Sequence, residues 1–256
     1  MDYAQLCAKI LAMKIWGNIG GFAKLVWSIF RVRKYIKPIE DARASGDFDE
    51  ERARIAEATG AWINDLMQTF DMHFEVTGRE NIPEGACVFI GNHQAYADIL
   101  AMLKATEGKQ LGFIAKDEFK PVPLMADWIL RIRGLFIPTK ASDPRESLRV
   151  INDGIELLKN GFSLMIYPEG KRSWGPEMGE FKPGSFKLAT KAKVPVVPVT
   201  VNGTYKMFEE REVMTPGQTA TVIIHPPIET AEMSREDQKE LPMRVYKIVK
   251  DALPES

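Results

Sequence analysis

"ACVFIGNHQAYADILAMLKAT", residues 86–106, runs from an apolar β-rich stretch through a short polar turn into a helix-length segment. The same succession recurs downstream. "LGFIAK", "GLFIP", "FSLMIYP", "VPVVPVTV" and "ATVIIHPPI" are further strand candidates, each bounded by Gly, Pro, Asn or Lys. "VPLMADWILRI", "DPRESLRVINDGIELLKN" and "GSFKLATKA" read as the helices between them. The second of these places Leu148, Ile151, Ile155 and Leu158 on one face, with Asp143 as N-cap and Pro144 at the first helical position. Strands and helices alternating in this way predict an α/β domain whose central sheet is mostly parallel and flanked by helices. Ligands of such a sheet belong at the C-terminal ends of its strands. Polar residues cluster there: Asn92, His93 and Asp98 after the first strand, Lys116 after the next, Lys140 after "GLFIPT", and Glu169, Lys171 and Arg172 after "FSLMIYP".

The totals narrow the function classes. A chain of 256 residues, 45% hydrophobic and 27% charged, has the composition of a globular protein with one large core or a core and a small appendage. Its net charge of −1 offers no global attraction to nucleic acid. The two cysteines, Cys7 and Cys87, show neither a disulfide framework nor zinc spacing.

Cations are concentrated at the N-terminus, where Lys9, Lys14, Lys24, Arg31, Arg33, Lys34 and Lys37 face a single acid, Asp2, before Pro38. Within "ILAMKIWGNIGGFAKLVWSIFRVRK" the run is interrupted by Lys14, Asn18 and Lys24, so it lacks the ~20 apolar residues that a span requires. Leu11, Ile15, Ile19, Phe22, Val26 and Ile29 recur at helical spacing, with Lys14, Asn18, Gly21 and Ser28 elsewhere. Two readings follow. The helix packs on the domain, or it lies in a membrane interface with Trp16 and Trp27 at the headgroups and its cations toward anionic lipid. Trp62, Leu66 and Phe70 form a second stripe, so two antiparallel helices joined by the charged 40–52 segment are expected over residues 1–72, before the α/β body at 73–256.

Among chemistries, His93 has no second histidine or cysteine at metal-ligand spacing, and the chain has no GxSxG elbow, Walker A loop or dinucleotide fingerprint. General base catalysis remains: an imidazole with a pKa near 6.5 takes a proton from a hydroxyl at neutral pH, and Asp98, five residues on, can hold its other nitrogen. Spacing alone is equally met by a strand-end histidine and a helix-start aspartate with no shared task. "YPEGKRSW", residues 167–174, supplies cations and backbone N–H groups after a strand, suited to a phosphate or simply to a charged turn.

Taken in order, "NHQAYAD", "YPEGKRS", "FKPGSFKLA" and "VPVVPV" resemble the glycerolipid acyltransferase family, and within it the bacterial lysophosphatidate (1-acylglycerol-3-phosphate) acyltransferases. The resemblance extends from about "FEVTGRENIP" to "HPPI". The family's NHxxxxD motif falls on Asn92, His93 and Asp98. Its FPEGTRS motif falls on Tyr167 to Ser173, with Tyr in place of Phe and Lys in place of Thr. "FIAKDEFKPVPLM" is similar to its strand-lysine segment. One motif departs: where the family writes arginine, "GLFIPTK" has Thr139, with Lys140 one place later.

The resemblance implies direct acyl transfer. His93 acts as general base with Asp98 behind it, while Lys116, Lys140, Glu169, Gly170, Lys171, Arg172 and Lys182 line the acceptor site, with Arg133 as a further candidate cation. The acceptor is lysophosphatidate and the product phosphatidate. The donor is a thioester of acyl carrier protein or coenzyme A, and no cofactor or metal is needed. Both lipids reside in a bilayer, so the resemblance also favours the membrane reading of the N-terminal hairpin, as a monotopic anchor on the cytoplasmic face of the inner membrane. Backbone N–H groups near Gly170 are the first candidates for the oxyanion. Two alternatives stay open: the same chemistry on glycerol 3-phosphate, another lysophospholipid or a lyso-aminolipid, and a non-catalytic lipid-binding protein on the same fold.

Overall fold

The computed structural model describes residues 15–121, 123–139 and 144–254. The expectations placed on Leu11, Lys14, Lys140 and Asp143, and on the side chains of Ile15, Trp16, Ile19 and Phe22, lie outside what is described. Among the described residues, seven strands form one sheet: β1 (Met72–Thr77), β2 (Val88–Gly91), β3 (Gly112–Lys116), β4 (Leu135–Ile137), β5 (Leu164–Ile166), β6 (Val196–Asn202) and β7 (Gln218–Ile224). Their order is β1-β7-β6-β2-β5-β3-β4. All neighbours are parallel except β6 and β7. Hence β6, β2, β5, β3 and β4 point one way, and β1 and β7 the other. The sheet is mostly parallel and helix-flanked, as the alternation predicts.

Burial on both faces follows from the side-chain alternation of the strands. From β2, Phe89 packs on one face with Ile39, Ile55, Ile63 and Met102, whereas Val88 and Ile90 pack on the other with Leu158, Leu188, Leu241 and Val245. The first face is covered by α2 (Ile36–Ser45), α3 (Phe48–Phe70) and α4 (Asp98–Ala105). The second is covered by α6 (Pro144–Lys159), α7 (Lys187–Ala192) and α8 (Arg235–Asp251); α5 (Pro123–Arg131) leads into β4. On α6, Leu158 is buried but Leu148 is exposed, so its expected stripe serves the core only toward its C-terminal end.

The N-terminal segments depart from expectation in their connection. Helix α1 (Ile15–Arg31) runs through a 3₁₀ turn, Val32–Tyr35, into α2, so much of the charged 40–52 segment is helical rather than a linker. The reversal occurs at Gly46 and Asp47, where the Asp47 carboxylate accepts the Glu50 N–H at 3.0 Å and starts α3. Helix α1 packs on the body by one side, through residues that lie off the expected apolar stripe. Ser28 is buried and accepts the Trp62 indole N–H at 3.1 Å, Leu25 joins the core with Phe70, and Gly21 lies against Met214 and Phe70. The side away from the body leaves Val26, Trp27 and Phe30 exposed. Among the described residues no helix is long and apolar enough to cross a membrane.

Candidate active site

Strand β2 ends where a side chain closes it. Asn92, fully enclosed, donates to the Val201 carbonyl and accepts the Val201 N–H, each at 2.8 Å, imitating one more step of the β2–β6 ladder. Gly91 permits the close approach, since a Cβ there would lie 2.6 Å from the Val199 oxygen. The chain then turns, and α4 begins at Asp98, beneath His93. His93 Nδ1 lies 2.6 Å from Asp98 Oδ2, and the Asp98 side chain is wholly buried. A carboxylate at that position accepts from Nδ1–H, which leaves Nε2 as the ring nitrogen free to accept a proton. Asp98 is itself fixed: Oδ2 also takes the Ala95 N–H at 2.9 Å, and Oδ1 takes the Thr204 hydroxyl. The pairing expected from the five-residue spacing is therefore present.

The turn after β5 is built against this one. The Tyr167 ring stacks on the His93 imidazole, with centroids 4.1 Å apart and planes 13° apart. Its hydroxyl is buried without a hydrogen-bond partner among the described residues, and burial pushes the phenol well above its ordinary pKa. Glu169 is buried with each oxygen engaged, one by the His93 N–H at 2.7 Å and the other by the Gly179 N–H at 2.8 Å. Burial raises its pKa, partly offset by these two bonds. Glu169 thus fixes the His93 backbone from within instead of presenting a carboxylate to a ligand. The Ser173 N–H donates to the His93 carbonyl at 2.8 Å, and the Trp174 N–H to that of Gln94 at 3.1 Å, so the two motif loops are laced together. Gly170 adopts φ +68°, and its own N–H is engaged by the Tyr167 carbonyl at 3.1 Å, which removes it as an oxyanion donor.

The cations sort into three groups. Arg172 emerges beside His93, its guanidinium carbon 3.5 Å from the Tyr96 ring centroid and 4.2 Å from that of Trp174, with Nη1 3.3 Å from Glu209. Lys171 and Lys182 are exposed, and the Lys182 ammonium lies so close to Gly170 that a Cβ there would sit 2.7 Å from it. Lys116 ends β3, half-exposed, 4.0 Å from Glu118. Since β5 separates β2 from β3, Lys116 rises from the same sheet edge, about 10 Å along it from the His93 strand at ordinary strand spacing.

Arg133 does not join them. It precedes β4, at the opposite edge of the sheet, and binds Glu51 in a two-pronged pair at 2.8 and 2.7 Å, with Arg43 on the same carboxylate at 2.7 Å. Thr139, at the position of the expected arginine, holds the Asp117 carboxylate through its N–H at 2.9 Å and its hydroxyl at 2.6 Å. His73 pairs with Asp71 and His225 with Thr200, both away from His93. Glu209, Gln94 and Thr204 were not foreseen. Gln94 accepts the Gly203 N–H at 2.9 Å and, with Thr204, ties the segment after β6 to the His93 turn. None of the three has a linear signal beyond being a polar residue in a loop.

The acyltransferase family model matches residues 73–202, just over half of the chain. A chloroplastic 1-acyl-sn-glycerol-3-phosphate acyltransferase of Brassica napus is 36% identical over 158 residues, 60% of this chain and 44% of that protein. A 1-acyl-sn-glycerol-3-phosphate acyltransferase of Pseudomonas aeruginosa is 34% identical over 132 residues, 51% of this chain and 50% of that one. The chain thus spans about half the length of these relatives. Among solved structures, the crystal structure of the 1-acyl-sn-glycerophosphate acyltransferase PlsC from Thermotoga maritima superposes with a TM-score of 0.67 at 27% identity, covering 97% of this chain and 91% of that one. With the motif residues assembled on one sheet edge and the family model matching over that region, the chain belongs to the acyltransferase family.

Proposed function

We propose that this protein transfers a fatty acyl group from a thioester of acyl carrier protein or coenzyme A to the free hydroxyl of lysophosphatidate, forming phosphatidate in phospholipid biosynthesis. The observation that carries this reading is the buried Asp98 carboxylate on His93 Nδ1, which leaves Nε2 available as a base. The acceptor hydroxyl oxygen attacks the thioester carbonyl as Nε2 takes its proton, and Asp98 supports the imidazolium. The intermediate collapses with loss of the C–S bond, and the departing thiolate recovers the proton. No nucleophilic side chain and no metal enters these steps.

Arg172 and Lys116, with Lys171 and Lys182 at the rim, hold the acceptor phosphate and so place its hydroxyl; placement of this kind supplies several kcal/mol of barrier reduction. The names carried by the relatives support this choice of acceptor. The α1 side bearing Val26, Trp27 and Phe30, with exposed Lys24, Arg33 and Lys34 beside it, rests in one leaflet of the cytoplasmic face of the membrane, where substrate and product reside.

A second acceptor class has one observation in its favour. Thr139 is committed to Asp117 at the position where an arginine is expected, so headgroup recognition rests on fewer cations. Purified protein incubated with each thioester and with lysophosphatidate, glycerol 3-phosphate, another lysophospholipid or a lyso-aminolipid, with products resolved by mass, tests both readings. Phosphatidate as the major product is expected. Preference for another acceptor overturns the substrate, and lipid binding without any turnover overturns the enzyme.

A further inference from the structure

Arg172 is held by more than the substrate it is proposed to bind. Two rings cover its guanidinium, and Glu209 takes one edge of it. Glu209 comes from the segment between β6 and β7, beyond the matched family region, and its side chain is fully buried. The Glu209 oxygen that faces Arg172 also accepts the Tyr96 N–H at 2.7 Å. One carboxylate oxygen therefore joins the backbone of the "NHQAYAD" turn to the guanidinium of the "YPEGKRS" turn, and the Tyr96 ring lies against that same guanidinium.

We infer that Glu209 is a positioning residue that presets Arg172 for the acceptor phosphate, an inference that rests on the phosphate-holding role proposed for Arg172. A guanidinium offers its N–H groups in a planar fork. With its faces covered and one Nη directed at Glu209, the remaining N–H groups keep a fixed direction before the lipid arrives. An arginine free to swing on its stem would have to be ordered on binding, at a loss of both affinity and placement. The second Glu209 oxygen is buried with no partner among the described residues. Such a pair is weak evidence of a purely stabilising role, because apolar side chains of similar volume often fill these positions without loss of stability.

The test measures kcat and KM for lysophosphatidate in Arg172→Ala, Glu209→Ala, Glu209→Gln and the double variant Arg172→Ala with Glu209→Ala. Glu209→Ala is expected to raise KM about tenfold, with a smaller fall in kcat. Glu209→Gln retains an oxygen for Tyr96 and Arg172 and is expected to recover most of the loss. The double variant is expected to match Arg172→Ala alone, since Glu209 acts through that side chain. Should Glu209→Ala fail to fold, Glu209→Leu keeps the volume without the oxygens and takes its place. Losses that multiply in the double variant, or a lower KM in Glu209→Gln because the carboxylate competes with phosphate, overturn this inference while leaving acyl transfer standing. A wild-type protein that does not acylate lysophosphatidate overturns both.

Discussion

The imidazole of His93 and the phenol ring of Tyr167 lie face to face, 4.1 Å between centroids. A cation over an aromatic face gains about 0.5–2 kcal/mol, and in the proposed reaction the imidazole becomes a cation as it takes the acceptor proton. Tyr167→Leu should therefore lower kcat by up to about tenfold, because the charged ring loses its support. Tyr167→Phe should keep the rate. Its melting temperature should be unchanged or higher, since the hydroxyl it removes is buried without a partner. A Phe variant as slow as the Leu variant would show that the hydroxyl, not the ring face, matters.

His93→Ala should reduce turnover by about 10²–10⁴ with the fold intact, the usual loss for a positioned base. Asp98→Asn should be nearly as severe. Asp98 accepts from His93, from the Ala95 N–H and from the Thr204 hydroxyl, and an amide has one oxygen with which to replace two. Circular dichroism alongside single-turnover rates separates lost chemistry from lost structure. More than about a tenth of wild-type rate in the His93 variant would end the base assignment.

At the far edge of the sheet, Glu51 is fully buried between Arg43 and Arg133. Glu51→Ala should destabilise the protein by about 3–5 kcal/mol, because it strands two cations in a partly buried place. Urea denaturation measures this, and Michaelis constants should stay near wild type under conditions where the variant is folded. A rise in the acceptor KM without a loss of stability would return Arg133 to the binding site.

On α1, replacing Trp27 and Phe30 with aspartate should reduce affinity for anionic vesicles at least tenfold, since burial of one such ring is worth about 1.5–3 kcal/mol. Turnover of short-chain acceptors dispersed in detergent should change little. Vesicle sedimentation at two salt concentrations gives the electrostatic share from Lys24, Arg33 and Lys34. Undiminished sedimentation would make the exposed face a packing surface.

Burial raises the pKa of Glu169 and of Glu209, with bonds from the His93 and Tyr96 N–H groups opposing it in part. The folded state then holds protons that the unfolded state has released, so stability falls as pH rises from the ordinary carboxylate value of 4.5 through the raised one. Glu169→Gln lacks this titration and also loses a backbone acceptor. It should be less stable than wild type at low pH, with a gap that narrows as pH rises through that window. Thermal unfolding across pH checks it, and a constant gap would mean that Glu169 titrates normally.

The sequence carried the alternating body well because each of its strands is a short apolar run closed by Gly, Pro or a polar residue. It carried the His93–Asp98 pair because both ends lie within one strand-turn-helix unit. Strand β1 was missed although "MHFEVT" alternates, since the helical stripe of Trp62, Leu66 and Phe70 runs directly into it. Helix α8 was missed as well. Pro242 lies inside it, yet Ser234 and Asp237 form a capping box, and Leu241, Val245 and Val249 recur every four residues along its buried side. The antiparallel turn from β6 to β7 and the arrival of Glu209 at Arg172 depend on long-range packing that no local period encodes. The α1 face was assigned by spacing alone, whereas the body covers Gly21, Leu25 and Ser28, which lie off that stripe, and leaves its member Val26 exposed.

The segment from Gly203 to Gly217 touches both ends of the molecule's proposed work. Met214 lies against Gly21 on α1, while Glu209, five residues earlier, reaches Arg172. The segment is stapled at its start by Gln94, across its middle by the Thr215 N–H on the Met207 carbonyl, and at its end by the Asp71 carbonyl. It therefore sets the distance between the exposed face of α1 and Arg172. In the proposed membrane arrangement, the height of His93 above the lipid is a dimension of the protein, and a headgroup would have to rise that far, with its acyl chain still trailing in the bilayer, before its hydroxyl met Nε2.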